Sequence, residues 1–258
     1  MNKNKHSLKW HRSLRNPGEF LGERIRAVIF DRITLPLLIA VLIIIYVGLG
    51  WYRYDRPTQL APLAISLVAI ALVAFASEGI MQAWPRIRAL MLGRDGEKTV
   101  GQRLETLRER GYQVFHDIPG DGFNLDHVLV GPAGVFTIET KIHSKPADGK
   151  STVIFDGETV RVNGFAADRN PVLQGKAQAS WLGDILAKST GCKFYVKPVV
   201  VYPGWFVQNK TSWSYDIWVL NPKGLAAFLE NEPARLSEKD INLASFHLSR
   251  FLRSEIRG

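Results

Sequence analysis

The chain of 258 residues has one cysteine, Cys192. That excludes a disulfide-stapled fold and any zinc or iron–sulfur centre built on several thiolates. Acids are outnumbered: 24 Asp+Glu face 33 Lys+Arg, a net charge of +9. An excess of that sign points to anionic partners, nucleic acid or lipid headgroups. No internal repeat, low-complexity tract or heptad run is present, so solenoids and coiled coils fall away. Apolar residues make up 46% of the chain and charged residues 22%, which excludes wholesale disorder.

Charge is absent altogether from two stretches. Residues 33–52 read ITLPLLIAVLIIIYVGLGWY, and residues 60–77 read LAPLAISLVAIALVAFAS. As a helix, about 20 residues span roughly 30 Å, the thickness of a bilayer's hydrocarbon core. Pro36 and Pro62 stand near the starts, where a helix needs no N–H donor. Trp51, Tyr52, Tyr54 and Trp84 flank the runs, as interfacial rings do. The segment 1–32 carries Lys3, Lys5, Lys9, Arg12, Arg15, Arg24, Arg26 and Arg32 against three acids, and Arg86, Arg88, Arg94 and Lys98 follow the second run. The connector holds only Arg53 and Arg56 beside Asp55. The positive-inside rule then predicts a hairpin in the plasma (inner) membrane with both termini in the cytoplasm. The basic segment also offers a surface for anionic lipid. Gly48 and Gly50 are small residues against which a second copy could pack, giving a homo-oligomer.

From about Asp95 the composition is that of a globular domain, read as 95–258. Residues 96–110 predict an amphipathic helix on Val100, Leu104 and Leu107, stopped by Gly111. Strands are expected at 112–117, 124–130 and 134–141, with a hairpin through Gly131-Pro132-Ala133. A second hairpin at 152–155 and 159–162 turns on Asp156-Gly157. A helix over 170–187 is read with Leu173, Ala177, Trp181 and Ile185 as its apolar stripe. Strands at 194–202 and 217–220 and helices at 222–230 and 237–254 follow. In the last helix Ser237 and Asp240 form an approximate capping box ahead of Ile241, Ala244, Leu248, Phe251 and Leu252. This order predicts an α/β fold, a mixed sheet flanked by helices on both sides.

Glu139-Thr140-Lys141 ends the third strand. Alternation puts Glu139 and Lys141 on one face, away from Phe136 and Ile138. An acid-x-Lys triplet is a weak signal by itself; Asp148-Gly149-Lys150 is a second one, in a polar loop. Asp126, one strand earlier, lies in an apolar run, where a carboxylate is costly unless paired or metal-bound. Two carboxylates on neighbouring strands suit Mg²⁺, which prefers hard oxygen ligands. Lys141 would then orient water or stabilise a charged transition state.

The stretch resembles the NERD (nuclease-related) domain, a branch of the PD-(D/E)XK nuclease superfamily. The carrying residues are Gly96-Glu97, Leu125-Asp126-His127-Val128, the run from Gly134 to Lys141, and Asn170-Pro171-Val172-Leu173-Gln174. They cover roughly residues 96–202. The resemblance implies a restriction-endonuclease-like fold and a site of Asp126, Glu139 and Lys141 using Mg²⁺ or Mn²⁺. It implies an accessory acid from the first helix, Glu97 or, failing that, Glu105, and a glutamine near the site, Gln174. Ile142-His143-Ser144 after the lysine, and Thr140 inside the motif, depart from the usual pattern without removing a chemical group.

Other candidates have plainer readings. The spacing of His116, His127 and His143 matches no zinc pattern. Arg161, Arg169, Lys176 and Lys188 fit either a phosphate track or a solvated face. Trp205, Trp213, Tyr215 and Trp218 suit packing better than base stacking. The expected function is hydrolysis of nucleic acid, DNA before RNA, by a membrane-anchored, metal-dependent phosphodiesterase. The rival expectation is a membrane-anchored module that uses the nuclease fold only to bind nucleic acid or protein.

Overall fold

A computed structural model describes residues 15–52, 61–145, 151–166, 169–210 and 216–257. Outside these lie Lys3, Lys5, Lys9, Arg12, Arg53, Tyr54, Asp55, Arg56, Leu60, Trp213 and Tyr215, and the Asp148-Gly149-Lys150 triplet. The chain divides into two compact units. One is Phe20–Leu92; the other joins Gly93–Gly258 to the stretch that ends at Glu19.

In the first unit, helix α1 (Glu19–Ile29) leads through a π turn (Phe30–Thr34) into α2 (Leu35–Tyr52). Pro36 is the second residue of α2, near a helix start as the sequence reading placed it, although helical backbone also precedes it in the π turn. Proline lacks the N–H and crowds the carbonyl four residues back, and the wider π turn immediately before it makes room. Helix α3 (Ala61–Glu105) merges two segments that the sequence suggested were separate, and carries Pro85 inside it. Both helical stretches are long and apolar enough to cross a membrane. Leu42, Ile44, Leu67, Ile70 and Phe75 are more than half exposed, as lipid-facing residues are. The Trp51 indole N–H donates to Ser66 Oγ at 3.0 Å, tying α2 to the start of α3. A Cβ added at Gly48 or Gly50 would meet nothing within 4 Å among the described residues.

The second unit is built on two sheets. After a 3₁₀ turn (Thr106–Arg110), Gly111 takes the left-handed conformation (φ +84°) that stops the helix. Strands β1 (Gln113–Pro119), β2 (Asn124–Gly131) and β3 (Gly134–Thr140) form an antiparallel meander. Strands β4 (Thr152–Phe155), β5 (Val160–Val162) and β6 (Phe165–Ala166) come next, then α4 (Pro171–Thr190), β7 (Val196–Val201), β8 (Phe206–Asn209) and β9 (Trp218–Leu220). Helices α5 (Leu225–Asn231) and α6 (Glu238–Arg257) close the chain. The main sheet has the order β1-β2-β3-β7-β9, with β3, β7 and β9 parallel. Strands β6, β5, β4 and β8 form a second sheet; sequence reading missed β8 and β6 and merged everything into one sheet.

Packing follows the apolar periodicity. Val100, Leu104 and Leu107 meet Phe136, Ile138, Leu225 and Leu229 on one face of the main sheet. Leu182 and Leu186 of α4, with Ala244, Leu248 and Leu252 of α6, cover Val128, Val130 and Val135 on the other. Trp205 and Trp218 are core residues. The capping box of α6 is real: Asp240 N–H donates to Ser237 Oγ, and Ser237 N–H to Asp240 Oδ2, both at 3.2 Å. The stripe read for α4 was the wrong one. Leu173 is 66% exposed, whereas Val172, Ala179, Leu182 and Leu186 are buried.

Candidate active site

The site forms where β2 and β3 splay. His127 and Ile138 are the last paired residues of the ladder, so Asp126 and Glu139 stand next in register on adjacent strands. There a side chain replaces the missing ladder bond: Thr140 N–H donates to Asp126 Oδ2 at 2.7 Å. On its other side β3 continues beside β7, and Lys141 N–H donates to Val201 O at 2.9 Å. That bond fixes the backbone of Lys141 beyond the strand end.

Glu139 is the hub. Its Oε1 accepts from Lys141 Nζ at 2.7 Å and from Gln174 Nε2 at 2.8 Å, and its Oε2 accepts from Gln178 Nε2 at 2.8 Å. Lys141 Nζ also donates to Gln174 Oε1 at 2.8 Å. Gln174 and Gln178 are one turn apart on α4, so both face the sheet. That helix begins where Asn170 caps it, its Oδ1 accepting from Val172 N–H, with Pro171 in the first turn.

Glu97 reaches the site from α3. It continues the buried stripe of Val100, Leu104 and Leu107 by one more turn. Gly96 permits the approach: a Cβ there would lie 2.1 Å from Ile142 Cδ1, just past Lys141. The carboxylates are almost out of water, with Glu97 8%, Asp126 8% and Glu139 6% exposed. Burial, Asp117 and Glu139 raise the Glu97 carboxyl to about 8, with Lys141 opposing. Burial, then Glu139 and Glu97, push Asp126 well above the usual carboxylate range. Glu97 Oε2 has no hydrogen-bond partner among the described residues.

Glu105, the alternative accessory acid, is elsewhere. Arg108 Nε donates to its Oε2 at 2.6 Å and His116 Nε2 meets its Oε1 at 2.9 Å. Despite partial burial, the bonds from His116 and Arg108 hold Glu105 down at about 2. His116 in turn meets His127 through their Nδ1 atoms at 2.9 Å. These two histidines thus belong to a buried polar chain, not to the acid cluster. His143 stacks on Tyr202 with ring centres 5.8 Å apart.

Three contributors were missed by sequence reading. Gln178 had one available signal, its position four residues after Gln174. Asp117 is fully buried at φ +51°, with its Oδ1 accepting from Asn124 Nδ2 at 2.9 Å. Tyr202 is buried near Glu139, and its hydroxyl has no partner among the described residues. Arg161, Arg169, Lys176 and Lys188 are all exposed and take no part. A cavity of about 350 Å³ lined by Lys176, Ser180, Phe194, Tyr195 and Asp216 is not bordered by Glu97, Asp126 or Glu139.

A divalent cation fits this donor set. The oxygens are hard, like charges crowd one another, and Glu97 Oε2 lacks a hydrogen-bond partner among the described residues. Among the described residues no three His, Cys, Asp or Glu are grouped tightly enough to cage a metal by themselves. An Mg²⁺ ion needs no such cage, because it retains waters.

Residues 92–203 match the family model of the nuclease-related domain. An uncharacterised protein of Bacillus anthracis is 37% identical over 54 residues, which cover 19% of this chain and 26% of that protein. The chain thus spans about a quarter of that relative's length. No solved structure gives a significant match. The matched span 92–203 holds Glu97, Asp126, Glu139 and Lys141 and is similar to a nuclease-related (NERD) domain, and two apolar helical stretches begin before it.

Proposed function

We propose that the protein is a membrane-anchored, metal-dependent phosphodiesterase that hydrolyses nucleic acid at the cytoplasmic face. The observation that carries this reading is the burial of Asp126, Glu139 and Glu97 close enough for Glu139 to raise the other two carboxyls, with Lys141 Nζ 2.7 Å from Glu139 Oε1. Asp126 and Glu139 would hold Mg²⁺ or Mn²⁺, with Glu97 as the accessory acid. Bound there, the ion supplies Lewis acidity and neutralises negative charge.

The remaining roles belong to the chain. An ammonium has three donors. Two of those on Lys141 serve Glu139 and Gln174, and the third is left to orient the attacking water or a phosphoryl oxygen. Gln174 and Gln178 donate to both oxygens of Glu139 and so fix its orientation beside Lys141. Water forms the new P–O bond, the P–O bond to the sugar breaks, and the sugar hydroxyl leaves with a proton. The excess of basic residues supports an anionic substrate.

The anchor is the hairpin of residues 33–52 and 60–77. The stretch ending at Glu19, before the first apolar run, belongs to the same compact unit as Gly93–Gly258, after the second. This supports placing both termini on one side, which the flanking basic residues make the cytoplasm.

The test uses the full chain in detergent with labelled single- and double-stranded DNA and RNA, with Mg²⁺ or Mn²⁺, beside Lys141→Ala. Cleavage by the wild type that falls on the order of a hundredfold to a thousandfold in the variant is expected. A folded wild type that binds nucleic acid but cleaves none of the four would favour the binding module instead.

A further inference from the structure

Residues 16–19 read Asn-Pro-Gly-Glu and form a tight turn just before α1. Glu19 N–H donates to Asn16 O at 3.2 Å, Pro17 sits where a turn wants φ near −65°, and Gly18 supplies φ +73°. Asn16 N–H donates back to Glu19 Oε2 at 2.9 Å, which locks the turn.

This turn lies against the residues on either side of Glu97. A Cβ added at Gly101 would lie 2.6 Å from Pro17 Cβ, and one added at Gly18 would lie 2.9 Å from Arg94 Cγ. Arg94 and Gly101 are seven residues apart on α3, three before Glu97 and four after it. All three therefore share one face of the helix. From the turn, Glu19 N–H also donates to Asp117 Oδ2. Asp117 holds a left-handed backbone at the end of β1, and its other oxygen accepts from Asn124 at the start of β2. The turn thus touches α3 above and below Glu97 and grips the β1–β2 connection two residues from Asp126. Four residues before the first apolar stretch thus brace the elements that carry Glu97 and Asp126.

We infer that the Asn16–Glu19 turn is a positioning clasp for the acid site, holding α3 and the β1–β2 connection at the spacing that lets Glu97 and Asp126 share a ligand. The contact stands apart from the nuclease reading; its effect on metal affinity rests on it.

The test uses full chains in membranes with Cys192→Ser. Pro17→Cys with Gly101→Cys places two Cβ atoms close enough for a disulfide after a small shift. Mild oxidation is expected to give an intramolecular crosslink, read as a reducible mobility shift. Gly18→Val puts a branched side chain at positive φ against Arg94 and releases the clasp. Mn²⁺ affinity, read by electron paramagnetic resonance, should then fall about tenfold or more. The same variant carrying the cysteine pair should recover affinity on oxidation and lose it on reduction, which a general loss of folding would not do. Absence of the crosslink in folded protein, or Mn²⁺ affinity unaltered by Gly18→Val, would overturn the clasp. A crosslinked chain whose wild type binds no Mn²⁺ would overturn the metal reading, and the clasp's role with it, while leaving the contact intact.

Discussion

Asp126→Asn is expected to stabilise the metal-free protein and to remove its activity. In the folded chain, burial and the neighbouring Glu139 and Glu97 push the Asp126 carboxyl far up. Near neutral pH the folded state must therefore hold a proton that the unfolded chain gives up. Asparagine carries no such penalty, and its side-chain oxygen still accepts from Thr140 N–H. A gain of about 1–2 kcal/mol, or a melting temperature higher by about 2–6 °C, follows from sites of this kind. Metal-dependent cleavage should fall on the order of a thousandfold, because a charged ligand is gone. Melting curves with a chelator, beside cleavage assays, check both halves. An aspartate that merely stabilised the fold would give the reverse, a lower melting temperature.

The metal-free protein should also lose stability as pH rises from about 5 to 8. Glu97 takes up its proton at about 8 in the folded chain against 4.5 for an ordinary glutamate. Between those values the folded state binds more protons than the unfolded one, so unfolding becomes easier as pH rises. The upper limit from this carboxyl alone is roughly 5 kcal/mol. Asp126 acts in the same direction. Glu105 acts in the opposite one: held at about 2, it contributes stability above pH 4.5 that disappears as pH falls toward 2. His127, held well below the ordinary histidine value by burial and by His116, also opposes the decline below about pH 6.5, so the fall without metal should be steepest between about pH 6.5 and 8. Saturating Mg²⁺ should flatten or reverse the decline, because the ion takes the place of protons and binds only the folded state. Thermal melts from pH 5 to pH 8, with Mg²⁺ or a chelator, show this. Identical slopes in the two series would remove the link between the acids and the ion.

The parts of the fold that are legible in the sequence are those with uninterrupted periodicity. Val100, Leu104 and Leu107 read as a helix face and are one, as do Ile241, Ala244, Leu248 and Leu252. Asp126 was legible because it interrupts an apolar strand, and Glu139 and Lys141 because alternation sets them on one face. Glu97 reads as a surface charge until the stripe behind it is extended by one turn.

On α4 two inward-facing glutamines hid the pattern. Gln174 and Gln178 occupy the face that meets the sheet, so the buried side looked polar and the stripe was read through exposed Leu173. Asp117 and the clasp were not legible for a different reason. Their contact joins residues about a hundred positions apart, and no local propensity encodes such a distance. Short strands such as Phe206–Asn209 owe their conformation to pairing with β4, not to their own sequence.

The proposed divalent-metal site is made by Asp126, Glu139 and Glu97. Calorimetric titration of Mn²⁺ into the full chain at pH 8, in two buffers of different protonation enthalpy, tests it most directly. The account predicts saturable binding that releases protons, and no such binding in Asp126→Asn. Binding that survives unchanged in Asp126→Asn, or none by a folded wild type, would contradict it.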